Sequence, residues 1–453
     1  MGRLFGTDGI RGIVGGELTA DLAKIVGRAL VNTLPKKNGE KLTILVGMDT
    51  RLSSGLLSDS VIEGICWAGG NSVDVGVCST PAVAYLVTKH GYDAGVMISA
   101  SHNPWEYNGI KIFGPDGFKL SDALEERIES FILDGDDDFS VAKEMGSLTQ
   151  LFTGIDEYAD YVIKSCGCRL DGIKVGIDCA NGSASVTAEK IFTELGAECH
   201  LIANKPDGMN INKNCGSTHL DTLRKLVVEE KLDLGIAFDG DADRCLAIDE
   251  NGRDIDGDYI LAILSNKFMK EGKLNNNALV GTVMSNLGLV KFCEERNIKF
   301  LAAKVGDRFV LELLNEKGLS LGGEQSGHII IRGLATTGDG QLTSVALLSH
   351  VKESGKSLSA LADIMKKYPQ YMINVHADAE DKKIFKTDEI IKQFIEESEK
   401  EMGSHGRILI RPSGTEPVVR VMTEGDSHDL AERICKELAD KIDARLRELK
   451  KSV

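Results

Sequence analysis

The sequence predicts an α/β protein: three related α/β domains followed by a smaller C-terminal α+β domain. Three segments carry the prediction, LTILVGMDTRLSSG (42–55), IKVGIDCANGSAS (173–185) and ALVGTVMSNLGLV (278–290). Each is a short apolar run, then glycine and polar residues, then a helix-like stretch, and so reads as a buried strand feeding a loop and a helix. The unit recurs at intervals of roughly a hundred residues, as related α/β domains require. Beyond KKYPQY (366–371) the pattern changes to strand (YMINVHA), helix (388–402), strand (RILIRPS), strand (VVRVMTEG) and charged helix (427–450). The acidic run DGDDDF (134–139), the helix IDEYADYVIKS (155–165), the turn DENGR (249–253) and the helix DGDYILAILSNKFM (256–269) mark the joints. The expected domains are 1–153, 154–253, 254–368 and 369–453.

Composition narrows the function classes. The 453 residues are 42% hydrophobic and 27% charged, with 49 glycines and 8 prolines, which suits folded α/β units rather than a disordered chain. A net charge of −16 argues against nonspecific nucleic-acid binding, which needs a basic footprint. It leaves room for a phosphorylated small molecule held by a few local cations. The ten cysteines are scattered without a CxxC pair, and only Cys166 and Cys168 lie close together; free thiols in a reducing cytoplasm are expected. No signal-like or membrane-spanning apolar run occurs, so no membrane partner is expected. The sequence leaves oligomeric state open, a homodimer included.

Four loops carry chemistry. In VMISASHNPWEYNGIKIF (96–113) an apolar run breaks at small and polar residues before a proline, the signature of a sharp turn. An exposed Ser101 there can act as nucleophile or phosphate carrier, and Lys111 can return to the same place. In LDLGIAFDGDADRCLAIDE (232–250), Asp239, Asp241 and Asp243 alternate, and on near-extended backbone they share one face. Three such carboxylates repel unless a cation joins them, and oxygen-only ligands select a hard ion, Mg²⁺ first. An EF-hand competes, since Glu250 falls at its twelfth position, but Arg244 occupies the sixth, where that loop needs glycine. LGGEQSGHII (321–330) offers Glu324, Gln325, Ser326 and His328, a set suited to sugar hydroxyls, with His328 a candidate general base or acid. In ILIRPSGTEPVVRVMTEG (408–425), Arg411, Ser413, Gly414, Thr415 and Arg420 gather guanidinium forks, hydroxyls and open backbone N–H groups, as a phosphate dianion requires.

SASHNP, DGDADR, GEQSGH and RPSGTEP resemble the four signature loops of the α-D-phosphohexomutase superfamily, and FGTDGIRG (5–12) resembles its N-terminal loop. The likeness spans the whole chain. It implies four domains around one central cleft, and an isomerase that moves phosphate between two positions of a phosphosugar. It further implies that Ser101 is a phosphoserine and that Asp239, Asp241 and Asp243 hold one Mg²⁺ with an oxygen of that phosphoserine. Glu324 and Ser326 match sugar contacts, and Arg411, Ser413, Gly414, Thr415 and Arg420 match the distal phosphate site. Arg11, Lys111, Arg244 and His328 match polar residues around the reacting groups, with His328 or Lys111 the general base. A hexosamine or hexose 1,6-bisphosphate is expected as intermediate and activator. Gln325, between the two sugar contacts, favours glucosamine 6-phosphate as substrate, because its amide can accept from the amine or reshape the loop beside it. Mannose or glucose phosphates are the alternative substrates, and a sugar phosphatase is the rival of another class.

Overall fold

The computed structural model describes residues 3–6, 8–35, 40–135, 142–413 and 417–451. They divide into two compact units, one of residues 1–284 and 297–364, the other of residues 285–296 and 365–453.

The first unit holds three sheets built on one plan. Its six-stranded sheet runs in the order Ile10–Ile13, Tyr107–Phe113, Ala94–Ile98, Thr43–Met48, Asn71–Val77, Leu148–Gln150. The second runs Asp254–Ile255, Cys245–Asp249, Leu234–Phe238, Lys174–Asp178, Glu198–Ile202, and the third Lys299–Ala303, Ala278–Thr282, Leu321–Gly323, Ile329–Ile331. In each sheet the strand of the repeated sequence segment lies between two parallel neighbours. The later of those neighbours then turns back as an antiparallel hairpin. Parallel strands covered on both faces must be apolar throughout. That is why Leu234–Phe238 and Ala278–Thr282 are buried at every residue.

The three hairpin turns, 99–106, 239–244 and 324–328, carry the three motifs singled out in this unit's sequence. Each strand delivers its turn to the carboxyl end of the parallel strands, the edge where α/β sheets place their sites. Separate apolar cores lie under the sheets, around Leu30, Ile44 and Val96 in the first, Leu223 and Ile248 in the second, and Val280 and Leu314 in the third.

The second unit is a three-stranded antiparallel sheet, Gln370–His376, Val418–Gly425, Gly406–Pro412, backed by the helices Ala379–Thr387, Glu389–Met402 and His428–Lys451. The helix Ala379–Thr387, closed by an Asp378–Asp381 capping box, has no counterpart in the sequence reading. The helix Leu287–Glu295 also belongs to this unit. The wholly buried Glu424 carboxylate accepts from Asn286 Nδ2 at 3.1 Å, Leu287 N–H at 2.9 Å and Arg407 Nε at 2.6 Å, fixing that helix's entry. The expected acidic joint at 134–139 lies mostly outside the described residues. Among the described residues all ten cysteines are free, and no helix is long and apolar enough to cross a membrane.

Candidate active site

Ser101 stands in the first hairpin turn with φ 52°, the left-handed region that a non-glycine residue enters at a cost. The sequence suggests an exposed serine; the structure leaves it 1% exposed, because the turn of the second sheet packs over it. Its Oγ donates to Asp239 Oδ2 at 2.6 Å. The loop is held from below. Arg51, ion-paired with Asp49 at 2.8 Å and wholly buried, donates to the Ser101 carbonyl at 2.7 Å. Ser99 Oγ bridges Asp49 Oδ2 (2.7 Å) and the Ser101 N–H (2.9 Å). His102 Nδ1 lies 3.4 Å from Ser101 Oγ; burial, with Arg244 and Arg11 nearby, pushes its pKa down to about 4, so the ring is neutral.

Asp239, Asp241 and Asp243 converge, with one oxygen from each within 4.8 Å of the others. The reason differs from the one expected. The segment is a tight turn rather than extended backbone, and Ala242 at φ 55° folds the chain so that the three carboxylates meet. They are 0%, 0% and 4% exposed, which without a cation is costly. Burial and the two neighbouring aspartates drive Asp239 well above the ordinary carboxylate range. Asp243 is held well below it, where Lys111, His328 and Arg244 outweigh burial. Asp241 Oδ1 and Asp243 Oδ1 are buried without a hydrogen-bond partner. Three inward carboxylates with two unused buried oxygens fit a small divalent ion with oxygen ligands. The EF-hand alternative fails: strands flank the turn, and Glu250 turns away to accept from the Ser359 N–H at 3.2 Å.

Lys111 lies on the strand Tyr107–Phe113 and is 1% exposed. Its Nζ reaches Asp241 Oδ2 at 2.8 Å, Asp8 Oδ2 at 3.0 Å and Asp243 Oδ2 at 3.4 Å. Burial favours the neutral amine, but Asp241, Asp8 and Asp243 more than offset it and keep the ammonium. Arg11 pairs with Asp8 at 2.7 Å and reaches Asn103 Oδ1 at 3.4 Å. Asp8 also takes Lys119 at 2.6 Å, and Lys119 bonds Asp307. Arg244 Nε sits 4.0 Å from Asp239 and 3.9 Å from Asp243.

His328 Nδ1 is 3.6 Å from Asp243 Oδ2, and Nε2 accepts the Gly338 N–H at 3.0 Å. Asp243, Asp307 and Glu324 outweigh burial and raise the ring's pKa. The Gly338 contact nevertheless requires a bare Nε2, so the ring carries its proton on Nδ1 toward Asp243. A Cβ on Gly338 would come within 2.5 Å of the imidazole, so only glycine allows this seat. Both expected general bases are therefore engaged: Lys111 as an ammonium, His328 through both nitrogens. Glu324 Oε1 accepts the Gly306 N–H at 3.0 Å, and Ser326 is exposed. Gln325 turns its Nε2 to Asp256 Oδ2 at 3.4 Å, which ties the loop to the start of the helix Gly257–Lys270.

In the second unit Arg411 and Arg420 face each other directly across the antiparallel ladder. Like charges so placed repel, and burial together with Arg420 lowers the Arg411 pKa. Lys382 Nζ donates to the Ser413 carbonyl at 2.7 Å. Gly414 and Thr415 lie outside the described residues.

Sequence reasoning missed Asp8, Asp49, Arg51, Thr80, Lys119, Asn212 and Asp307. Thr80 donates both its hydroxyl and its N–H (3.0 Å) to Asp241. Three of the seven stood inside segments already singled out, Asp8 in FGTDGIRG and Asp49 and Arg51 in LTILVGMDTRLSSG; Asn212 and Asp307 lie in the polar runs NINKNCGSTH (210–219) and KVGDRFV (304–310).

Three sister α/β units, each presenting one motif on a hairpin turn, and a small antiparallel unit define an α-D-phosphohexomutase. The chain belongs to the phosphoglucomutase/phosphomannomutase family, whose α/β/α domains I, II and III match residues 2–138, 156–252 and 256–368, and whose C-terminal domain matches 372–441. It is 50% identical to the phosphoglucosamine mutase of Acetivibrio thermocellus over 98% of this chain and 100% of that protein. With the phosphoglucosamine mutase of Clostridium novyi it shares 48% over 98% and 99% of the two chains. Among solved structures, a phosphoglucomutase/phosphomannomutase family protein of Burkholderia thailandensis superposes with a TM-score of 0.81 at 24% identity, covering 97% of both chains. The N-acetylphosphoglucosamine mutase of Aspergillus fumigatus, in complex with GlcNAc-6P and magnesium, gives 0.67 at 16% identity, covering 97% of this chain and 95% of that one.

Proposed function

We propose that this chain interconverts glucosamine 6-phosphate and glucosamine 1-phosphate through a phosphorylated Ser101, in a reducing cytoplasm, supplying amino-sugar nucleotide and cell-wall precursor synthesis. What supports the reading most is the buried Ser101 hydroxyl, 2.6 Å from Asp239 at the edge of the carboxylate triad, in a chain about half identical to curated phosphoglucosamine mutases along its length. Phosphorylated Ser101 transfers its group to the O1 hydroxyl of glucosamine 6-phosphate. The resulting 1,6-bisphosphate turns end for end, and its 6-phosphate passes to Ser101, leaving glucosamine 1-phosphate. Mg²⁺ held by Asp239, Asp241, Asp243 and an oxygen of phosphorylated Ser101 would supply charge stabilisation for the transferring group.

Lys111, fixed as an ammonium between Asp8 and Asp241, balances charge on that group, and Arg11 and Arg244 extend the cationic side. His328 orients Asp243. Glu324 and Ser326 read the sugar hydroxyls, while Gln325, its Nε2 turned to Asp256, shapes their loop. Arg411, Ser413, Gly414, Thr415 and Arg420 take the phosphate that is not being transferred. The domain limits fitting these roles are 1–153, 154–253, 254–368 and 369–453. The test is kcat/KM for glucosamine, glucose and mannose 6-phosphates at one Mg²⁺ concentration. Glucosamine 6-phosphate gives the highest value; a higher value for either hexose overturns the substrate assignment.

A further inference from the structure

We propose that Asn212 is a positioning residue that clamps the Ser101 carrier loop from the second sheet's side of the site. The inference rests on the reading of Ser101 as the phosphoryl carrier. Asn212 Nδ2 donates to the carbonyl of Ser101 at 2.9 Å and to that of Asn103 at 3.1 Å. Both acceptors are carbonyls, so the amide can face them only with its NH₂ group, and both its protons are used. With Arg51 Nη2 at 2.7 Å on the other side, the Ser101 carbonyl has two donors, which fills its acceptor capacity. This fixes the peptide plane that follows Ser101, beside a residue whose left-handed backbone (φ 52°) brings Oγ to Asp239.

Space has been left for the contact. A Cβ on Gly240 would lie 2.5 Å from the Ser101 carbonyl and 2.9 Å from Asn212 Nδ2. Asn212 is itself left-handed, with φ 57°, a conformation asparagine accepts better than most residues. Its backbone N–H is anchored on the Ala180 carbonyl at 2.9 Å, and the residue is 7% exposed. The clamp therefore reaches the left-handed Ser101 loop of one sheet from a loop of another. Arg51 alone leaves the Asn103 carbonyl, one turn further on, unheld.

Two variants separate the amide from the backbone. Asn212→Gly keeps the left-handed conformation and removes the amide; Asn212→Asp keeps the shape and sets a carboxylate against two carbonyls. Both are expected to lower kcat by roughly 10- to 100-fold, the scale of a carrier misplaced by about 1 Å. KM for the phosphosugar stays at the parent value, because Asn212 is buried behind the loop. Backbone amides of residues 99–103 exchange hydrogen faster than in the parent; the melting temperature changes little in Asn212→Gly and falls in Asn212→Asp, whose buried carboxylate faces two acceptors. An unchanged kcat in both variants, or a fall in kcat with parental exchange at 99–103, overturns the proposal. If the parent itself fails to interconvert the two sugar phosphates, the mutase reading falls while the exchange measurement still decides the clamp.

Discussion

Replacing Lys111 by methionine tests how the site holds its own charge. The side chain is of similar length, so packing is nearly kept, but a buried ammonium within 3.4 Å of Asp8, Asp241 and Asp243 is lost. Breaking a buried ion pair from one side costs about 3–5 kcal/mol. The loss belongs at the upper end, since three carboxylates share the cation and two of them are almost wholly buried. Its pH dependence has a definite sign. In the parent, Asp8 and Asp243 are held below the ordinary carboxylate range, so they add stability that is present above the unfolded pKa and lost as pH falls through the folded one. The variant lacks much of that contribution, so it is weakest relative to the parent at neutral pH, and the gap closes on acidification through the carboxylate range. Mg²⁺ at neutral pH restores part of the loss by replacing the missing cation. A chain of two compact units need not melt in one step, so each calorimetric transition is followed separately; only the first unit's transition should move. A shift that is small and independent of pH and Mg²⁺ would refute the electrostatic account of the triad.

Other outcomes follow from the same geometry. Asp241→Asn should weaken Mg²⁺ binding in calorimetric titration and depress turnover more than it lowers the melting temperature, because one charge leaves an oxygen-ligand site. Gly338→Ala forces the His328 ring aside and should cost about 1–3 kcal/mol of stability in urea titration, with turnover falling further than the stability loss explains. Arg420→Ala should raise KM for the phosphosugar with kcat largely kept, by an amount corresponding to roughly 1.5–3 kcal/mol for a charge-assisted contact. Inorganic phosphate should raise the melting temperature of the second unit in the parent and not in that variant.

The fold was legible wherever local pattern and tertiary role agree. Apolar runs ending in glycine and polar residues marked the central strand of each sheet, because a parallel strand buried on both faces has no polar alternative. The strand Val418–Gly425 and the final helix stood out for the same reason, by alternation and by charge. The helix Ala379–Thr387 escaped because its signal is a capping box of aspartates in a polar stretch, with weak apolar periodicity. Within the candidate site, the hairpin turns that hold Ser101, the three aspartates and Glu324 to His328 were visible as motifs. Residues that hold those groups in place were harder to see: Arg51 and Asp49 form their pair fifty residues before Ser101, and Asn212 more than a hundred after it. Nothing in a linear sequence shows that a carbonyl needs two donors. The alternation of Asp239, Asp241 and Asp243 pointed to convergence for the wrong reason, since Ala242 in a left-handed turn, not an extended strand, brings them together.

The most direct measurement follows a labelled phosphoryl group out of the enzyme. Enzyme carrying ³²P on Ser101 is mixed with unlabelled glucosamine 6-phosphate and Mg²⁺, quenched at successive times, and the products separated. The account predicts that label leaves the Ser101 peptide and appears on glucosamine 1-phosphate, at the oxygen that was free in the substrate. Label released as inorganic phosphate, or recovered from a residue other than Ser101, would contradict it.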